Sequence, residues 1–302
     1  MFKKTYILYL LLLTTPVLIA QKQRLDVRVS NDKFFLVDKY FTSGVYLSYK
    51  KRINKDFVFK KNANAVLQYS LTAGNEVYTP QNLDSFNSLD FDRPYAGWFF
   101  VDLEIAKLKT KSALFLGLET GITGKPSFAG QLQIKFHELF NIESRPTWVD
   151  EIYFNWLLNI KILQVNNLYL NKKSELQNHF TTTVGSKDFF VKNQVYYFLG
   201  NFNGLQNSSR LPNTIGNGGK ELFCFLSAGY KYVLYNALIQ GSLFSNKDAF
   251  TTQITPHVFT FSIGTGFQFK NNNLKLECFY NTKETPKSSA HAYASITYGF
   301  LF

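Results

Sequence analysis

The chain has little of what usually holds an exported or membrane-bound protein together. Only Cys224 and Cys278 are available for cross-linking, so no disulfide framework carries the fold. Beyond residue 20 no apolar run approaches the roughly 20 residues that a spanning helix requires, so a spanning helix is left only to the N-terminal run, as an anchor in place of an export signal. No domain boundary, repeat or low-complexity linker interrupts the sequence, and none of its serines sits in a G-x-S-x-G setting. A multidomain array and a serine hydrolase of the common elbow type are thereby set aside.

What is present is aromatic, glycine-containing and periodic. Aromatic residues make up 17% of the chain, with 31 Phe and 18 Tyr, yet overall hydrophobicity is ordinary. In the last twelve residues Ala292, Ala294, Ile296, Tyr298, Phe300 and Phe302 alternate with His291, Tyr293, Ser295, Thr297, Gly299 and Leu301. The same period of two places Phe99, Val101, Leu103 and Ile105 against Phe100, Asp102 and Glu104, and Leu114, Leu116 and Leu118 against Ala113, Phe115, Gly117 and Glu119. Strands with one apolar and one polar face suit a transmembrane β-barrel, in which lumen-facing residues dilute the lipid-facing ones and tolerate Asp102 or Glu104.

The first twenty residues carry Lys3 and Lys4, an apolar run from Tyr6 to Leu13 continuing through Val17 to Ile19, and Ala20 before Gln21. We read residues 1–20 as a secretory signal peptide and 21–302 as one barrel domain in the bacterial outer membrane. The net charge of +12 admits nucleic acid, acidic surfaces or lipid phosphates as partners. Export and strand periodicity leave nucleic acid out. Lys50, Lys51 and Arg52, with Lys107, Lys109 and Lys111, read as solvated turn charges or as contacts with phosphorylated glycolipid. Cys224 shares parity with Leu222 and Leu226, and Cys278 with Leu276 and Tyr280, so both are expected on the lipid-facing side as unpaired thiols.

The periodicity predicts strands near 25–36, 43–53, 63–74, 96–108, 111–121, 150–164, 177–186, 189–200, 221–232, 235–246, 256–270, 273–283 and 290–302, with a further candidate at 165–173. A closed bacterial barrel needs an even number, which makes 12 or 14. Short turns such as 270–273 are expected on the periplasmic side, and the connections 75–95, 122–149 and 201–220 on the outside. Within 126–141, Phe128, Leu132, Phe136 and Leu139 recur at helical spacing after Pro126. This predicts a short amphipathic helix whose apolar stripe packs on the rim, with Gln133 and His137 projecting together.

Three blocks gather unusual polar residues: Asn31-Asp32-Lys33-Phe34 with Tyr40-Phe41-Thr42-Ser43-Gly44, then Asp92-Arg93-Pro94-Tyr95-Ala96-Gly97-Trp98, and Gln133-Ile134-Lys135-Phe136-His137 followed by Glu143. With Pro146-Thr147-Trp148 and Tyr235-Asn236-Ala237, they resemble the outer-membrane lipid A 3′-O-deacylase (LpxR-type) family across nearly the whole mature chain. The resemblance implies an all-β antiparallel barrel of 12 strands and a calcium-dependent esterase that removes the 3′-acyloxyacyl chain of lipid A in the outer leaflet. It also implies the site residues, with His137, Gln133, Thr42 and Asn31 as catalytic groups and Asp32 and Glu143 as ligands of Ca2+. The segment between Asp32 and Thr42 is shorter than the family pattern, and Glu151 stands where a Gln is usual.

The chemistry is coherent on its own terms. Ester hydrolysis needs an activated nucleophile and positive charge where the carbonyl oxygen becomes negative. His137 is placed to take a proton from water, and a hard cation held by Asp32, Asn31 and carbonyls near Thr42 would supply the charge. Glu143 either completes the ion site or orients the imidazole. Ser43, beside Thr42, is the one candidate for a serine mechanism. Asp92 and Arg93 read as a structural pair bracing the rim, and His179, His257 and His291 as structural or interfacial residues. The expected partners are lipid A or lipopolysaccharide and the outer membrane, with the protein a monomer. The competing readings are a non-catalytic porin or scaffold and a barrel phospholipase.

Overall fold

The computed structural model describes residues 23–60 and 64–302; the expected signal peptide lies outside them. Among the described residues twelve strands form a closed antiparallel barrel. They are β1 (Gln23–Asn31), β2 (Tyr40–Ile53), β3 (Val66–Thr79), β4 (Ala96–Leu108), β5 (Ser112–Thr123), β6 (Trp156–Leu170), β7 (Ser174–Gly185), β8 (Asp188–Asn201), β9 (Glu221–Asn236), β10 (His257–Phe269), β11 (Asn272–Asn281) and β12 (His291–Leu301). Helix α1 (Ala129–Phe140) follows β5, and a single helical turn, α2 (Ala237–Gln240), follows β9. The alternating terminal strand closes the cylinder, β12 pairing with β1 from Arg24↔Leu301 to Asn31↔Ala294. Closure removes the unpaired edge that could not exist in hydrocarbon.

The period of two separates two solvents. Along β1, Leu25, Val27 and Val29 stand outward, 41% to 44% exposed, while Arg24, Asp26 and Ser30 are buried inside. Many inward charges are paired: Asp26 lies between Arg24 and Lys50, and Lys161 Nζ lies 2.8 Å from Asp102 and 3.2 Å from Glu119. Removing Lys161 would strand two carboxylates in the lumen, a change of the kind that costs about 3–5 kcal/mol. Cys224 and Cys278 are free and face outward.

The strand assignments change in two places. Segment 235–246 is not a separate strand: β9 runs on to Asn236, whose side chain caps α2 by accepting from Leu238 N (2.9 Å), and Ala237 and Leu238 pack on Trp98 and Phe100. The candidate 165–173 is the end of β6, which runs on to Leu170.

The connection 201–220 lies at the opposite end of the barrel from the one expected. It joins β8 to β9 at the end that carries the short turns 109–111, 171–173 and 270–271, which is the periplasmic end. Rather than spreading outward, it folds into the lumen. Leu205 and Leu211 pack on Ala106, Leu108, Phe115 and Val165. Arg210 makes a fully buried ion pair with Glu175 (2.9 Å), Asn213 Nδ2 donates to Glu104 Oε1 (3.0 Å), and Arg24 Nη1 donates to Thr214 O (3.2 Å). Its length suggested an outside loop; the buried Arg210, Leu211 and Ile215 make it a plug. Reconstituted in a planar bilayer, the protein is expected to show no stable pore conductance. A variant with residues 203–219 replaced by a short glycine-serine turn should conduct. Steady channels from the intact chain would overturn the plug.

Candidate functional site

The site lies outside the barrel wall, under α1. Two glycines allow the close approach. A Cβ on Gly97, on the outward face of β4, would stand 2.4 Å from the Ala129 Cβ, and one on Gly130 would stand 2.7 Å from the Trp148 ring. The helix start is tied to β3 by Asn75 Nδ2 donating to Ser127 O (2.6 Å). Val77, Phe91, Tyr95, Ala129 and Trp148 fill the space between.

The helix turns the opposite face inward from the one its apolar stripe suggested. Its buried residues are Ala129, Gln133 and His137, while Leu132, Phe136, Leu139 and Phe140 are exposed, Leu139 at 74%. In water this would be the wrong way round. On the outer wall of a membrane barrel the exterior is lipid, so the apolar face points out and the polar pair finds partners in the protein.

Those partners centre on Asp38, the only carboxylate between Asp32 and Thr42 in the sequence. Asp38 Oδ2 lies 2.9 Å from His137 Nε2 and 3.1 Å from Lys33 Nζ. Its Oδ1 accepts from Gln133 Nε2 at 3.2 Å. Gln133 in turn accepts at Oε1 from Trp148 Nε1 (2.8 Å). The other imidazole nitrogen, Nδ1, lies 2.8 Å from Ser144 O. Sequence reasoning passed over Asp38 because nothing in its spacing ties it to a helix almost a hundred residues later. The available signal was a lone acid after the apolar run Phe34-Phe35-Leu36-Val37.

Both ring nitrogens of His137 therefore face acceptors, an arrangement that only the imidazolium satisfies fully. Burial works against its charge, but the Asp38 carboxylate and the Ser144 carbonyl outweigh burial and raise the pKa above 6.5. Burial likewise opposes the Asp38 charge, and the His137 ring and Lys33 hold the carboxyl below 3.8. The stability from the depressed carboxyl is complete above 3.8 and lost as pH falls; that from the raised imidazole is complete below 6.5 and lost as pH rises through its folded value. The pair is most stabilising between those limits.

Asn31, Asp32 and Thr42 meet at the adjoining strand ends. Thr42 is the extra residue of a β-bulge, since Phe41 pairs with Tyr78 but Ser43 with Val77. The bulge re-aims its side chain, and its hydroxyl meets that of Thr79 at 2.8 Å. Asp32 N donates to Thr42 O (3.1 Å). Asn31 Oδ1 accepts from Lys33 N (2.6 Å) and Asp32 Oδ2 from Lys39 N (2.8 Å). Asp32 is fully buried, and its Oδ1 has no hydrogen-bond partner among the described residues. Burial, with the nearby Asp38 charge, pushes its carboxyl up to about 8.

Glu143 is exposed, and no ion pair or hydrogen bond joins it to Asp32 or His137; the structure does not bring it into this cluster. Ser43 pairs across to Asn31 and Val77, with no contact to His137. Asp92 and Arg93 brace the rim through different partners rather than each other: Asp92 accepts from Tyr40 Oη (2.7 Å), while Arg93 faces Glu284 (3.4 Å). A groove of about 450 Å³ opens beside His137, bordered by Ile134, Asn141, Ser144 and Arg145.

A family model described as outer membrane protein LpxR matches residues 6–302. Among solved structures, LpxR from Salmonella typhimurium superposes with a TM-score of 0.76 at 19% identity, covering 92% of this chain and 100% of that one. The β domain of the Bordetella autotransporter BrkA gives a TM-score of 0.48 at 9% identity, with 94% and 99% covered. The NalP translocator domain from Neisseria meningitidis gives 0.44 at 10% identity, with 94% and 90% covered. No match was found among curated protein sequences.

Proposed function

This chain belongs to the LpxR family of outer membrane proteins, and from that premise we propose that it is a lipid A deacylase, hydrolysing the 3′-acyloxyacyl ester in the outer leaflet. One observation carries the reading: a buried His137–Asp38–Gln133 cluster lies on the lipid-facing side of the wall, beside a helix that exposes Leu132, Phe136 and Leu139. A polar site entered sideways from a bilayer suits an ester whose acyl chains never leave it. Phe34, Phe35 and Leu36 in the neighbouring loop are also exposed, Leu36 at 92%, and extend the same apolar surface. The plugged lumen speaks against the porin alternative.

In this reading His137 is the general base for water. Gln133, fixed by Trp148, positions Asp38 and with it the ring. Thr42 and Asn31 line the adjoining end of the site. Because the ring rests between two acceptors, it becomes a base only on giving up its proton and one of those contacts. Asp38→Asn should lower kcat/KM by roughly 10–100-fold, the usual size for losing an orienting partner. It should also move the acid limb of the pH profile to lower pH, since burial, which disfavours the imidazolium, remains. An unshifted limb would make Asp38 merely structural.

The resemblance also implies calcium, and the residues fit a hard cation. The unpartnered buried Asp32 Oδ1 is a hard carboxyl oxygen that no hydrogen-bond donor among the described residues satisfies. Among the described residues no group of three or more His, Cys, Asp or Glu stands together, so remaining ligands would be amide and carbonyl oxygens, which calcium accepts and zinc rarely does. Asp32 and Asn31 would hold the ion, which when bound supplies positive charge to the developing oxyanion.

Mass spectrometry of lipid A from cells with and without the protein tests the proposal. The expected result is loss of one acyloxyacyl chain. Altered phospholipid with intact lipid A would favour a phospholipase, and no change in either a scaffold.

A further inference from the structure

The lumen above the plug is a blind well. A cavity of about 370 Å³ near the outer mouth and one of about 410 Å³ beneath it share Arg28, Tyr46, Glu76 and Phe279. Residues 209–213 of the plug border the lower one. Nothing in the esterase chemistry, which lies outside the wall, uses this space.

Its charges are unevenly matched. Deeper or flanking lumen cations have carboxylate partners: Lys50 with Asp26, Lys161 with Asp102 and Glu119, Lys187 with Asp188, Lys275 with Glu277, and Arg210 with Glu175. Three cations on the upper cavity do not. Among the described residues Arg28, Lys192 and Lys231 form no ion pair, and Lys192 and Lys231 are directly opposite each other on β8 and β9. Opposed side chains on antiparallel strands stand roughly 4.5–5.5 Å apart at Cβ, where like charges destabilise the sheet. Arg28 is spread over the Tyr46 ring at 3.7 Å and Lys231 over Phe190 at 4.2 Å, which orients them without neutralising them. The carboxylates on the same cavity are engaged elsewhere. Glu76 accepts from Tyr46 Oη (2.9 Å) and Tyr78 Oη (2.8 Å), and Glu284 faces Arg93.

We propose that this well is a binding site for a phosphate-bearing ligand, held by Arg28, Lys192 and Lys231 and entered from outside the cell. A like-charged pair kept in a low-dielectric barrel is costly unless an anion shares it. A guanidinium fork beside two ammonium groups matches the several oxygens of a phosphate or pyrophosphate. The aromatic walls, with Phe279 stacked on Tyr293 at 4.7 Å, suit an attached sugar ring. The phosphate belongs either to a soluble molecule or to a lipid headgroup reaching over the rim.

Binding is measured without turnover, so failure of the esterase reading leaves this inference intact. The full-length protein and a Lys192→Gln/Lys231→Gln variant are titrated with pyrophosphate in micelles, and reconstituted with lipid A that carries or lacks its phosphates. The empty variant should unfold at the same temperature as the parent or higher, since a repulsive pair is gone. Binding of at least one phosphate probe should weaken tenfold or more. Lysine-dependent binding of pyrophosphate identifies a soluble ligand; dependence seen only with phosphorylated lipid A identifies the headgroup. If the parent binds neither at millimolar concentration, or the variant binds both as well as the parent, the well is not a phosphate site.

Discussion

His137→Asn is expected to lower lipid A deacylation by roughly 10²–10⁴-fold, the contribution of a positioned general base, while the barrel still assembles. Asn keeps a polar side chain of similar reach facing Asp38 and Ser144 but cannot accept a proton from water at neutral pH. Because Asp38 retains Lys33 at 3.1 Å, the substitution does not leave a carboxylate unpaired, and heat-modifiable mobility on gels should be unchanged. Activity within a few-fold of the parent, with normal assembly, would remove His137 from the chemistry and return attention to Ser43. The helix face makes the test sharp: His137 is buried against the wall with both nitrogens engaged, so a surface role is not available to it.

Chelation is expected to abolish the activity, and added calcium to restore it. The basis is Asp32, whose buried Oδ1 lacks a partner and whose carboxyl is pushed up to about 8 mainly by burial. A cation would satisfy that oxygen. Asp32→Asn should therefore be inactive at any calcium concentration, whereas Glu143→Gln should respond to calcium like the parent, because Glu143 is exposed and has no hydrogen bond or ion pair to Asp32 or His137. Full activity in excess chelator would make Asp32 a turn residue and require a metal-free mechanism. Loss on Glu143→Gln would mean that its segment closes over the site when substrate binds.

Much of the architecture was legible because it depends on a local rule. Alternate residues of a strand face opposite sides, so Leu25 and Asp26, or Phe99 and Asp102, are sorted between lipid and lumen by parity alone. The same rule placed both cysteines outside and unpaired. It failed at 235–246, where the side chain of Asn236 caps a helical turn and ends the strand. Parity sees no cap. Length, for its part, put 201–220 on the wrong side, since a long segment serves equally well as a loop in water and as a plug in a lumen.

The sequence by itself determined the barrel, its closure by the last strand, and the pairing of Gln133 with His137 on one side of a helix, because each follows from spacing along the chain. Tertiary structure alone decided which way that helix faces, that Asp38 is the partner of both residues, that a bulge delivers Thr42 to Thr79, and that residues 202–220 seal the bottom. The reason is common to all four. Each depends on which solvent or neighbour a residue meets after the chain has closed on itself, and an apolar stripe, a lone aspartate or a polar loop carries no mark of whether water, lipid or protein will stand opposite.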